Sequence, residues 1–264
     1  MKQEFKKVFN GFSLKLICLV TMIAGMLLVQ LNAPFYGTDL QTKKTETLLK
    51  LGYNLYYIGV PIACFLAAEA VLKTKNVVKL LVRLFVAAAV TEFIFDLAKY
   101  GSEMFDFSNG ILGNKALTSP MNFFFTLFAG ALCISLMEYV IAKRFKPATV
   151  MYNLVELLVL IFAVAIAYVL KFEHSGVGVF MIAAMYLFHE NRFLTLIAIA
   201  AIQIVVLGSA AGMIMYTPVI GTLITWFYSG EEGPNGTGVR LFVYGAFPLV
   251  YVILIRLAGG IAAK

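Results

Sequence analysis

Three pairs of polar residues, each four apart, stand inside apolar sequence. They are Glu69 and Lys73 in FLAAEAVLKTKN, Glu92 and Asp96 in VTEFIFDLAKYG, and Asn122 and Thr126 in MNFFFTLFAG. A spacing of four is little more than one helical turn, so each pair shares a face. A glutamate and a lysine so placed form an ion pair, with the lysine stem lying along apolar surface and its ammonium reaching for water. Two carboxylates on one face repel unless one is protonated or a cation intervenes, and Lys99 follows Asp96 by three residues. Asn122 and Thr126 form a stripe able to hydrogen-bond a neighbouring helix. Asn76 continues the Glu69–Lys73 face, and Arg83 closes the next basic stretch. Glu156, in MYNLVELLVLIF, has no obvious partner on its own helix, so burial would raise its pKa or a charge on another helix would match it. Each of these carboxylates has two readings: an interhelical pair, or a general base if burial lifts its pKa toward neutrality.

Other chemistries find no support. The chain has no GxxxxGK[ST] or GxGxxG stretch, no HExxH, no paired-cysteine spacing and no GxSxG elbow. No metal site is expected. Cys18, Cys64 and Cys133 lie far apart inside apolar runs and read as small core residues. The two histidines, His174 and His189, fall at the ends of apolar segments and are expected near water.

The elements that must position these residues are membrane spans. Of the 264 residues, 61% are hydrophobic and 13% charged, against about 25% charged in soluble domains, and the mean hydropathy is +0.90. The pattern predicts an all-α polytopic helical bundle of eight or nine spans, a single integral membrane domain over 1–264. The spans are expected at 14–33, 51–72, 80–98, 120–142, 150–171, 176–188, 193–207, 211–228 and 240–258. The sixth is short and suits a half-helix, a re-entrant segment or a buried helix. The basic start and first apolar run resemble a signal peptide, but the run is long and lacks a clean cleavage site, so it reads as a retained helix.

Lys2, Lys6, Lys7 and Lys15 precede or open the first span. Lys73, Lys75, Lys79 and Arg83 follow the second, Lys143, Arg144 and Lys146 the fourth, Arg192 follows the sixth, and Arg240 precedes the ninth. Placing the N-terminus in the cytoplasm puts all of these on the cytoplasmic side. The net charge of +7 follows from those loops rather than from nucleic-acid binding, for which there is no basic stretch interleaved with aromatics. The glycine-rich segment WFYSGEEGPNGTGVR is expected to be mobile. A charged group at the bilayer centre costs about 2.5–3.5 kcal/mol, so polar residues at depth are expected to face the bundle interior.

Six ordered motifs carry a resemblance to a known family: LKLICLVTM (14–22), IGVPIACFLAAEAVLKTKNVVKLLVRL (58–84), FIFDLAKYG (93–101), MNFFFTLFAG (121–130), EHSGVGVF (173–180) and FYSGEEG (227–233). Together they resemble the TraX family of polytopic bacterial membrane proteins, named for the pilin N-acetylase of conjugative plasmids and related to membrane acyltransferases. Glu69, Lys73, Thr74, Lys75, Asn76 and Arg83 fit its second motif, Asp96 its third, and Asn122 and Thr126 its fourth.

The resemblance implies residence in the bacterial cytoplasmic membrane and transfer of an acyl group from cytosolic acyl-CoA, acetyl-CoA foremost, to a peptide, pilin or glycan. Glu69 and Asp96 become the candidate catalytic carboxylates. Lys73, Asn76, Arg83, Glu92, Asn122, Thr126 and Glu156 become candidate lining residues. Two departures weigh against turnover. Where the family places an Asp-His pair after Thr-Met in its first helix, this chain has Gly25 and Met26. Where its last helix has a histidine, this chain has Val250. Acyl transfer needs a general base, so activity is expected to be lost or altered. The alternatives are a non-catalytic scaffold or partner subunit of a membrane complex, and a small transporter or channel subunit. Membrane lipid is an expected partner throughout.

Overall fold

The computed structural model describes residues 8–33, 42–106, 108, 114, 119–147, 149–207, 217–234 and 236–262. Lys2, Lys6 and Lys7, the first residues of the expected span 211–228 and much of the segment between the third and fourth spans lie outside the described residues.

Among the described residues all regular elements are helical. They are α1 (Gly11–Asn32), α2 (Lys43–Lys73), α3 (Val77–Tyr100), α4 (Phe123–Arg144), α5 (Val150–Val169), α6 (Ser175–Leu187), α7 (Arg192–Leu207), α8 (Thr217–Thr225) and α9 (Thr237–Ala262). A helix stands at each of the nine expected spans, but length and composition single out five able to cross a membrane: α1, α2, α4, α5 and α9. Eight or nine crossings therefore exceed what these two criteria support. At 24 residues α3 is long enough, yet it carries Lys79, Arg83, Glu92, Asp96 and Lys99. The helices α6, α7 and α8 have 13, 16 and 9 residues, against about 20 for a full crossing. The second helix starts eight residues before the expected span because KKTETLLK is polar yet helix-forming, with Lys50 and Glu46 paired at 2.6 Å one turn apart.

The chain packs as two compact units, Met1–Ala63 with Ile199–Lys264, and Cys64–Ala198. In the first unit α1 is capped by Asn10, whose side chain accepts from Ser13 N at 2.8 Å. Glycine lets α1 and α2 approach backbone to backbone. A Cβ on Gly25 would fall 2.5 Å from Tyr56 N and 2.6 Å from the Gly52 carbonyl oxygen, and one on Gly59 would fall 2.4 Å from Met22 Cγ. Small residues commonly bring membrane helices this close. The loop expected to be mobile is instead held to the start of α1 by backbone bonds. Val8 N and Phe9 N donate to Phe227 O at 2.9 and 3.0 Å, Ser229 N to Phe9 O at 2.7 Å, and Gly11 N to Glu231 O at 2.7 Å. An open groove of about 610 Å³ between α1 and α9 is lined by apolar side chains, among them Leu19, Ile23, Leu27, Phe242 and Val250.

In the second unit α4 packs against α3, α5 and α6. Its core is Ala131, Cys133, Ile134 and Met137 from α4 with Val179, Met181 and Ile182 from α6, all at most 2% exposed. Gly130 admits the Ile182 side chain, and Gly178 admits Thr126. By contrast α5 turns Leu154, Leu157, Leu158, Ile161 and Phe162 outward, the pattern of a lipid-facing helix.

Candidate functional site

The polar residues singled out in the sequence gather at the two ends of the second unit. At the first end α4 begins after Pro120, and Asn122 takes the extended backbone of an N-cap. Its side-chain oxygen accepts from Phe124 N at 2.9 Å. Its amide nitrogen donates to Ala88 O at 2.9 Å and to Glu92 Oε2 at 2.6 Å, and its backbone N–H donates to that same oxygen at 2.7 Å. One carboxylate oxygen thus ties α3 to the start of α4. Asp96, one turn beyond Glu92, is buried, and both Glu92 and Lys99 act on it electrostatically. Lys99 is the cation that the spacing suggested, and its ammonium also lies 4.9 Å from the centre of the Tyr100 ring.

The same end gains a contribution from the loop between α5 and α6. The fully buried Thr126 hydroxyl donates to the Glu173 carbonyl. Met121 N donates to Lys171 O at 3.0 Å and Glu173 N to Met121 O at 2.7 Å, so the loop pairs with the residue that precedes the Asn122 cap. Lys171, His174 and Ser175 have φ of 54°, 60° and 46°. Non-glycine residues rarely enter that region, and three within five residues mark stored strain held by surrounding contacts. The His174 ring packs edge-on to Phe123 with centroids 5.3 Å apart. Expected near water, it is instead only 10% exposed, with Nε2 3.9 Å from Glu173 Oε1. Burial pushes the imidazole down to about 4. The Glu173 carboxylate opposes that shift, but it is 34% exposed, so its pull is screened and desolvation dominates.

At the opposite end Glu69 and Lys73 pair at 2.8 Å, with side chains 22% and 35% exposed, as their spacing predicted. Asn76 is the N-cap of α3, accepting from Lys79 N at 2.9 Å, which commits its side chain to the helix start. Asp96 lies 19 residues beyond Val77, or about 28 Å along α3. Glu69 and Asp96, the two candidate catalytic carboxylates, therefore belong to different ends and do not form one site. Glu92 joins Asn122 by hydrogen bonds and Asp96 by charge, and Thr126 bonds the Glu173 carbonyl at the same end, whereas Lys73, Asn76 and Arg83 stand toward the other end of α3.

Sequence reasoning missed the tyrosine partners of the carboxylates at this second end. Glu138 sits on a π-helical turn, Met137–Ile141, that interrupts α4. Such turns recur at functional positions because they shift side chains out of helical register. The Tyr186 hydroxyl donates to Glu138 Oε2 at 2.5 Å. Glu156, expected to lack a partner on its own helix, is hydrogen-bonded by Tyr152 one turn earlier. His189 stacks on Tyr186 with ring centroids 6.3 Å apart, and its Nδ1 lies 2.7 Å from Tyr186 O. Tyrosine reads as a membrane-belt residue in a sequence, which hid these hydroxyl partners.

The fold is all-helical among the described residues, and several of its apolar helices, joined by polar ties at their ends, are compatible with a membrane protein. The chain belongs to the TraX family: the sequence model described as TraX protein matches residues 11–258. No curated protein and no solved structure matches it.

Proposed function

We propose that this chain is a multi-pass protein of the bacterial cytoplasmic membrane, N-terminus inside, that keeps the TraX frame without catalysing acyl transfer alone and acts as a non-catalytic partner of another membrane component. The relation to acyltransferases using cytosolic acyl-CoA comes from the resemblance, as does a peptide, pilin or glycan acceptor. The observation that carries the non-catalytic reading is Gly25. At the position where the resemblance implies a catalytic aspartate, any side chain would strike the α2 backbone at 2.5–2.6 Å. The neighbouring Met26 is buried, and Val250 lines an apolar groove. None of the three can accept a proton, and a missing general base costs about 10²–10⁴-fold in rate. Glu69, the carboxylate best matched to the family motif, is engaged by Lys73 at 2.8 Å. These residues do not fit acyl-CoA chemistry.

The test uses the purified full chain in detergent or nanodiscs with labelled acetyl-CoA and co-expressed peptide and glycan candidates. Transfer at background level is expected. Robust transfer abolished by Glu69→Gln or Glu156→Gln would overturn the reading and restore a carboxylate-based enzyme.

A further inference from the structure

Two basic stretches far apart in sequence meet at one end of the second unit. The Tyr139 hydroxyl, on the π-helical turn of α4, lies 3.2 Å from Val71 O and 3.4 Å from Thr74 O. That contact sets the end of α4 against the turn between α2 and α3. Lys75 and Lys79 on one side, and Lys143, Arg144 and Lys146 on the other, are all exposed. Lys143 also lies 5.8 Å from the centre of the Tyr139 ring, beside the contact that joins the stretches. Glu69 is paired with Lys73 and Glu138 accepts from the Tyr186 hydroxyl, and among the described residues none of the five exposed cations forms an ion pair. Arg83 shares the Lys79 face of α3 one turn further in, and its buried Nε has no hydrogen-bond partner among the described residues. A buried guanidinium N–H without an acceptor is uncommon in a finished fold and calls for an anion.

We propose that this surface binds the phosphate headgroup of an anionic membrane lipid. What separates a lipid from a soluble phosphate is the surface beneath the cations. Val78, Val82 and Phe85, on successive turns of α3, are 66%, 56% and 47% exposed. A cationic rim above an exposed apolar stripe matches a molecule with an anionic head and a hydrocarbon tail. Inorganic phosphate or a nucleotide has no use for the stripe. Arg83 reaches the head from below, and the flexible lysines close on it from the rim.

The proposal is tested by titrating the full chain in neutral detergent with phosphatidylglycerol and with phosphatidylcholine, counting bound lipid by native mass spectrometry. At least about tenfold tighter binding of phosphatidylglycerol is expected, weakening steeply from about 50 to about 500 mM salt as the charges are screened. Replacing exposed rim cations in the variant Lys75→Gln/Lys79→Gln/Lys143→Gln/Lys146→Gln should bring the preference below about twofold. A control variant, Lys43→Gln/Lys44→Gln/Lys50→Gln, removes positive charge elsewhere and should keep the preference. Arg83→Lys should bind more weakly than wild type and more tightly than Arg83→Gln, because it keeps the charge and loses the fork. Equal binding of the two lipids, or an equal loss in the control variant, overturns the proposal. So does displacement of the lipid by a large excess of inorganic phosphate or coenzyme A, which would assign the patch to soluble phosphates.

Discussion

Glu92 Oε2 accepts both the side-chain and the backbone N–H of Asn122, so one atom joins two helices. Removing the Asn122 amide leaves Glu92 and Ala88 O each short of a donor and uncaps α4. A lost cap costs about 1 kcal/mol, and a buried group left unpaired costs about 1–3 kcal/mol more. Asn122→Ala should therefore lower stability by about 2–4 kcal/mol, read as a fall in thermal midpoint in detergent. Asn122→Asp keeps a capping oxygen but sets a carboxylate where a donor now faces Glu92. It should be at least as damaging at neutral pH, and a midpoint equal to wild type would refute this assignment. His174 yields a second prediction. Its folded pKa of about 4 lies below the ordinary 6.5, so between those values the unfolded chain binds a proton that the folded chain refuses. Stability from the neutral imidazole is complete above pH 6.5 and is lost as pH falls from 6.5 to 4, by roughly 3 kcal/mol if the full shift applies. In His174→Phe the slope of thermal midpoint against pH over that window should flatten. An unchanged slope would assign the acid sensitivity elsewhere.

Among the helices, α1 and α2 are set by glycine. Gly25→Ala places a methyl against the Gly52 carbonyl and Tyr56 N, and overpacking of this kind costs about 1–3 kcal/mol. Gly25→Asp with Met26→His, which would restore the family's Asp-His pair, should reduce monodisperse yield on size exclusion rather than create activity. A Gly25→Asp/Met26→His chain that folds at wild-type yield would show the contact to be adjustable. The ion pair of Glu69 and Lys73 was legible in the sequence because both partners lie on one helix, where spacing alone fixes proximity. The polar clustering of α3 and α4 was legible as a tendency, since Glu92 and Asn122 stand near the same end of adjoining segments. The ties of Thr126 to the Glu173 carbonyl and of Phe9 to the Phe227 carbonyl were not legible. Backbone acceptors carry no side-chain signature, and every residue has one. The π-helical turn was equally hidden, because MEYVI continues an ordinary helical pattern.

For the molecule in the membrane setting proposed above, the number of crossings is the quantity to measure. The start of α4 lies beside Lys171 and its end beside Thr74, and its 22 residues span about 33 Å. Residues 75 and 146 should therefore open to one aqueous side and residue 171 to the other. Single substitutions Lys75→Cys, Lys146→Cys and Lys171→Cys can be probed with an impermeant thiol reagent in sealed vesicles. Cys18, Cys64 and Cys133 are buried, at 8%, 0% and 1% exposure, which keeps the background low. Labelling of 146 and 171 from the same side would contradict the placement of α4 across the membrane.

The backbone bonds between Val8–Gly11 and Phe227–Glu231 also bear on how the protein is made. The first helix leaves the ribosome early, but the residues that fasten its beginning are polymerised about 220 positions later. At 5–20 residues per second, roughly 10–40 s pass before those partners exist, and until then the N–H groups before α1 face water or lipid headgroups. A ribosome stalled before residue 227 would hold a nascent chain in which Val8, Phe9 and Gly11 still lack these partners, and synthesis past residue 231 would supply them.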